Sequence, residues 1–238
     1  YFFIIDDINE VCIMNKQELR NKILENIKSP EIPPKRFKAE MFDIYPCDTT
    51  NQKEKIQYAI DYISKNGGGR LNIPSGLYLT GALNLKSGVE IHLEKKDTVI
   101  RFINYDLEEN HPLVYSHWEW SPCMNYSPLI YGINVKDVSI TGQGTLDGGA
   151  DNSHWWNWHH QVENTWSEDK TDLQLHDRQA LRDMNIEGVS ITDRIFGYGH
   201  YLRPNFIQVI GSERVLLKDF KMINSPMWLI NPVLSKSI

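Results

Sequence analysis

The side chains most capable of chemistry crowd into the second half of this sequence. His154-Trp155-Trp156-Asn157-Trp158-His159-His160 opens the group, and Trp166, Arg178, Arg182, Arg194, His200, Arg203 and Trp228 follow. An indole face offers broad apolar area with a polar edge, suited to stacking on a sugar ring or to packing against protein, and both roles are open for Trp158 and Trp166. A guanidinium grips a carboxylate in two parallel hydrogen bonds, though these arginines can equally pair with Asp172, Asp177, Asp183 or Asp193. Adjacent histidines on an irregular loop, with no carboxylate or thiol at metal-ligand spacing, are expected to form hydrogen bonds, so no metal or cofactor is assigned. Arg203, beside Pro204, is expected to pair structurally first and to touch a ligand second. The candidate binding residues are therefore Trp158, His200, Arg203 and Trp228, with no catalytic residue among them.

Composition narrows what these groups can serve. With 238 residues, 41% hydrophobic and 24% charged, the chain can bury one large core or two small ones, and neither disorder nor a membrane span is expected. A net charge of -6 is not the basic footprint of a nucleic-acid binder, so no nucleic-acid partner is expected, and any anionic ligand must be held locally. Cys12, Cys47 and Cys123 are an odd, scattered set with neither disulfide nor zinc spacing, and free thiols are expected. Tyr1-Phe2-Phe3-Ile4-Ile5 is apolar, but Asp6-Asp7 follows at once without a small-residue cleavage site, so no signal peptide is visible.

Two helices are predicted ahead of the strands. Asn15 with Glu18 forms a capping-box pattern before Leu19, Ile23, Leu24 and Ile27 at helical spacing. Ser29-Pro30 and Pro33-Pro34 end that helix, and Lys35-Arg36-Phe37-Lys38 reads as an extended linker. Asn51 and Glu54 bracket the start of a second helix whose stripe is Ile56, Ala59, Ile60 and Ile63, stopped by Gly67-Gly68-Gly69. Beyond Gly69 the period becomes two, in short bursts at 71–73, 77–79, 89–93 and 99–102, and no further long helix is predicted.

Self-similarity decides the fold class. Residues 129–148 and 206–225 superimpose without a gap, matching Ile130, Ile133, Val138, Ile140 and Leu146 with Ile207, Ile210, Val215, Leu217 and Ile223. A repeat of roughly 20 to 25 residues built from short strands is a solenoid coil, and Ile238 falls where another copy would open. The prediction is an all-β parallel β-helix whose open end is capped by the helix after Asn51. Residues 1–39 form a helical lead and linker, and residues 40–238 a partial β-helix with a loop at 103–127, expected to be ordered from its aromatic content, and a long insertion at about 148–205.

An ordered series of short motifs then carries a resemblance. Gly67-Gly68-Gly69-Arg70, Ile73-Pro74-Ser75-Gly76-Leu77-Tyr78, Leu85-Lys86-Ser87-Gly88-Val89, Asn125-Tyr126-Ser127-Pro128, Gly142-Gln143-Gly144-Thr145-Leu146-Asp147-Gly148, Trp155-Trp156, Leu202-Arg203-Pro204 and Asn224-Ser225-Pro226-Met227-Trp228 resemble glycoside hydrolase family 28, the polygalacturonases, over about residues 40 to 234. The resemblance implies a right-handed, pectin-lyase-like helix, a pectic polysaccharide or oligogalacturonide as partner, a secreted or periplasmic setting, and packing roles for Trp155 and Trp156.

It also implies inverting hydrolysis, in which carboxylic groups roughly 6.5 to 9.5 Å apart protonate the leaving oxygen and activate water. The family's Asn-x-Asp, Gly-Asp-Asp, Gly-His-Gly and Arg-x-Lys signatures lie downstream of the Asn-Ser-Pro turn. The sequence in hand is therefore expected to lack the catalytic carboxylates. Asp6-Asp7, Gly199-His200 and Arg36-Phe37-Lys38 stand in the wrong order to replace those signatures, and Asp147 is expected to hold a turn. The alternatives are a non-catalytic carbohydrate-binding or structural β-helix and, without a clustered acidic metal site on the coils to support it, a calcium-dependent pectate lyase.

Overall fold

A strand of three to five residues has too few inward side chains to close a core alone, so such strands must stack. The computed structural model, which describes residues 15–159, 161–162, 165–166 and 173–238, winds them into a right-handed parallel β-helix of three sheets. In order along each coil, the first sheet holds Arg36–Lys38, Gly69–Ile73, Val89–Leu93, Lys136–Gly142 and Glu213–Lys218. The second holds Cys47–Asn51, Gly76–Thr80, Thr98–Phe102, Thr145–Asp147 and Lys221–Ile223. The third holds Leu83–Asn84, Ile130–Ile133, Ile207–Ile210 and Ile230–Val233.

The internal repeat is a real register. Ile130, Ile133, Val138 and Ile140 lie beside Ile207, Ile210, Val215 and Leu217 as strand partners. The gapless match then slips by one, and Leu146 faces Met222 instead of Ile223. The cause is turn length: four steps separate Thr141 from Thr145, but three separate Lys218 from Lys221. At the corner from third sheet to first, successive coils turn through left-handed residues at equivalent places, Gly88, Asp137, Arg214 and Ser237. The corner from first sheet to second is tighter. Gly142 has φ +112°, and a Cβ there would lie 2.1 Å from the Leu93 carbonyl oxygen, which explains the glycine in its motif.

The helix Lys53–Lys65 closes the first coil as predicted, burying Ile56, Ala59, Ile60 and Ile63 in one cluster with Leu71, Ile73, Tyr78 and Leu83. Its start differs from expectation. Asn51 ends a strand, Gln52 is the N-cap without a side-chain cap bond, and the Asn51 side chain accepts from the Lys53 amide at 3.0 Å.

The lead also departs from the reading of a linker. Its helix, Lys16–Asn26, has the capping box of Asn15 and Glu18 but buries no residue. The segment after it crosses the coils: the Lys28 amide donates to Ser237 Oγ and the Glu31 amide to Asp137 Oδ1. Arg36–Lys38 then pairs with Gly69–Ile73 as the outermost strand of the first sheet, so the solenoid begins before residue 40. Phe37 drives this, because it points inward beside Leu71 with its ring 6.3 Å from both Phe42 and Tyr62. One further long helix does exist, Leu173–Ile186. Only Gln174 and Leu181 on it are buried, so its polar stretch carried little helical periodicity to read.

Cys47 and Cys123 are free thiols, and Cys12 lies outside the described residues. Among the described residues no helix is long and apolar enough to cross a membrane.

Two measurements probe this packing. Gly142→Ala drives a methyl group into the Leu93 backbone and is expected to lower Tm by 5 °C or more, on the order of the 2–4 °C per kcal/mol typical of this size. Asp137, which ties Arg214 and the lead together with two 2.6 Å bonds to the guanidinium, has its carboxyl held below the usual range by those bonds. A lowered folded pKa stabilises above the unfolded value of about 4 and fades as pH falls through the folded one. Asp137→Asn is therefore expected to melt several degrees lower than wild type at pH 7, with the gap closing as acidification protonates the carboxyl.

Candidate functional site

Both long interruptions leave the helix at one corner, between the second sheet and the third. From the third coil comes a hairpin, Leu113–Trp118 with Ser121–Tyr126. From the fourth coil come the helix Leu173–Ile186 and the short strand Ile195–Phe196, which adds in parallel to Ser121–Tyr126. Because consecutive coils are neighbours, the two insertions meet and form a second small core of Trp118, Cys123, Leu181, Phe196 and Leu202. Burial there pushes the Cys123 thiol up to about 12, leaving it unreactive.

Polar bonds dock this assembly on the outer face of the third sheet. Gln208, fully buried, accepts from Ser116 Oγ at 2.8 Å and donates to the His117 carbonyl at 2.8 Å. Tyr131 donates to the Tyr115 carbonyl, and Asn205 to that of His117. Glu119 at the hairpin tip takes Arg178 at 2.9 Å and Arg182 at 3.1 Å from the helix. These are not the partners expected from sequence. Arg194 binds the Val189 and Pro122 carbonyls and Asn185, while Asp177 binds His200. Asp172 lies outside the described residues, as do His160 and the Trp166 side chain.

The four candidate residues fall into two clefts. Arg203 and Trp228 line one of about 360 Å³ with Trp118, Glu119, Trp156 and Arg178. Arg203 is 8% exposed; its Nε donates to Gln174 at 2.8 Å and its Nη1 to the Pro226 carbonyl at 3.0 Å, so it braces the helix against the Asn224-Ser225-Pro226 turn. Trp228 is 44% exposed and free to stack. Arg178 and Arg182 share the single carboxylate of Glu119, and with Arg203 nearby this wall is locally cationic on a chain of net charge -6.

Trp158 and His200 line a second cleft, of about 610 Å³, with Asp106, Glu108, Tyr126, Tyr198 and Tyr201. Trp158 meets Trp155 and Tyr201 edge to face at 4.9 and 5.4 Å. His200 Nδ1 lies 2.7 Å from Asp177 Oδ1. Beneath it, Trp155 is buried against His111, which burial holds neutral with a pKa of about 4. Trp156 donates to the Ser225 carbonyl at 2.8 Å, tying the insertion to the last turn. His154 bonds Asp151 at 2.9 Å, and among the described residues no group of His, Cys, Asp or Glu could hold a metal. Asp147 binds Arg101, Asn224 and the Gly149 amide, an internal turn role.

Sequence reasoning missed Glu119, Gln174 and Trp118 as walls. For Glu119 and Trp118 the only signal was the acidic, aromatic composition of residues 103–127, since their partners Arg182 and Arg203 lie 63 and 85 positions away, and Gln174 meets Arg203 from 29 positions away.

No family model matches the chain. It is 26% identical over 231 residues to a Vitis vinifera protein named "Probable polygalacturonase", covering 92% of this chain and 39% of that one. A hyperthermoactive exopolygalacturonase from Thermotoga maritima is 40% identical with a TM-score of 0.85, over 92% of this chain and 48% of that structure. A family 28 exopolygalacturonase from Yersinia enterocolitica shares the fold at 20% identity and a TM-score of 0.59, over 85% of this chain and 37% of its own. In sequence and fold the chain is similar to these polygalacturonases, whose parallel β-helix it shares, and it spans less than half the length of each of them.

Proposed function

We propose that this β-helix belongs to a hydrolase that cleaves galacturonic-acid linkages of pectic polysaccharide with inversion, and that residues 1–238 supply binding walls but not the catalytic carboxylates. The observation that carries the reading is the cleft at the insertion corner, where guanidinium groups face Trp156 and Trp228. A uronate residue has both a carboxylate for the first and an apolar C–H face for the second. The likeness to polygalacturonases, 40% identical in one case, supplies the reaction class.

Within this reading Trp228 is the stacking platform, and Arg178, 35% exposed and paired with Glu119 through Nη2, is the cation at the cleft edge. Arg203 is a positioning residue that keeps the cleft open through Gln174 and Pro226. Trp158 and His200 form a further subsite around the aromatic cleft. The hairpin lying over Tyr131 and Gln208 bars a long polymer from running the length of the third sheet, which favours entry by a chain end.

Calorimetric titration with tetragalacturonate, paired with a reducing-end assay, tests the proposal. Expected are binding without turnover and a loss of about tenfold in affinity, 1.4 kcal/mol, for Trp228→Ala. Reducing ends released by the purified chain alone would show that the carboxylates are already present. Equal affinity for an uncharged galactose oligomer would overturn the pectic assignment and leave a general carbohydrate-binding helix.

A further inference from the structure

The outer face of the first sheet lies opposite the insertion corner, and its side chains form two columns in register across five coils. One runs Arg36, Arg70, Glu90, Ser139, Leu216, and the other Lys38, Asn72, His92, Thr141, Lys218. Strand spacing of about 4.8 Å makes each column roughly 19 Å long. Pro30 and Ile32 of the lead wall this face into a cleft of about 640 Å³.

The cleft floor is built around a buried charge. Glu90, with its side chain 7% exposed, takes Arg70 Nε at 2.7 Å on one oxygen and Thr141 Oγ1 at 2.6 Å on the other. An ionised carboxylate only accepts, so the single Thr141 hydroxyl hydrogen is spent on Glu90. His92 Nδ1, 2.7 Å from that hydroxyl oxygen, must therefore be the donor. This fixes the tautomer of neutral His92 and leaves Nε2 as an acceptor on the cleft wall. Arg70 engages Glu90 through Nε, which leaves its two terminal nitrogens beside Arg36, and Lys218 stands at the other end of the cleft. Glu94 and Asp219 complete the rim.

From this arrangement we infer that the first-sheet cleft is a second, non-catalytic site for a uronic-acid oligosaccharide. Arg36 and Arg70 hold one carboxylate, His92 Nε2 accepts a ring hydroxyl hydrogen, and Lys218 meets the carboxylate of a neighbouring residue. The occupant is chosen by the alternation of cations with an acceptor whose tautomer is fixed. A phosphate or sulfate alone would leave His92 Nε2 facing an acceptor, and a neutral sugar would leave the cations unused. The site would tether the protein to its polymer while the insertion corner engages a chain end, so its ligand class rests on the pectic reading whereas its location does not.

The test is amide shift mapping of the full chain with trigalacturonate at pH 7.5, carried out on Trp228→Ala to weaken the corner cleft. Expected are shifts at residues 70, 90–92 and 139–141 that persist in this variant. Arg36→Ala, an exposed change, should weaken the first-sheet binding about tenfold, and His92→Phe about fivefold. Shifts confined to the corner, or equal shifts with a neutral galactose trimer, would overturn the second site while leaving the corner reading standing. Absence of shifts at both places would sink the two together.

Discussion

Everything in this molecule depends on the unbroken stacking of three parallel ladders. Each coil satisfies its backbone donors and acceptors through the coils beside it, and its two or three inward side chains per strand form a core only when stacked. A residue inserted within a strand would turn every later side chain to the wrong face. Extra chain can therefore enter only at corners. The one-residue slip between Ile140–Leu217 and Leu146–Met222 shows how this is accommodated, since a shorter turn absorbs it and both strands keep their inward faces.

That constraint also locates the site. The first-to-second corner is closed by the contact of Gly142 with Leu93, and the third-to-first corner by paired left-handed residues. Both long insertions leave the second-to-third corner, and they do so from adjacent coils. They must meet, and having met they must bury their own apolar surface, which Trp118, Leu181, Phe196 and Leu202 do. Gln208, buried where the hairpin meets the solenoid, is paired on both ends of its amide, while Asn205 is held through its Nδ2 alone.

The charge arrangement follows from the same meeting. Glu119 is shared by two arginines, and Arg203 is anchored by an amide and a carbonyl, so the corner is cationic within an acidic chain. On the opposite face, strand register alone builds an alternation of cation, carboxylate and imidazole. A hydrogen-bond chain from Arg70 through Glu90 and Thr141 to His92 orients it. Two unlike devices thus present cations at two faces of a chain whose net charge would not attract an anion.

Much of the fold was legible in the sequence. Period-two bursts give strands because alternation reports a half-buried sheet, and a repeat of one coil length reports stacking. The apolar stripe of Ile56, Ala59, Ile60 and Ile63 reports a helix with one face to hide. What the sequence by itself determined about this protein is therefore the coil, its cap and the chemistry available in the insertion. Only the tertiary structure decided which of those groups meet. Asp177 takes His200, Glu119 takes Arg178 and Arg182, Phe37 converts a linker into an edge strand, and Trp228 shares a cleft with Arg203 while Trp158 shares another with His200. Those pairings have no period, because they join insertions of different coils, and nothing in a one-dimensional pattern carries the distance between loops that only stacking brings together.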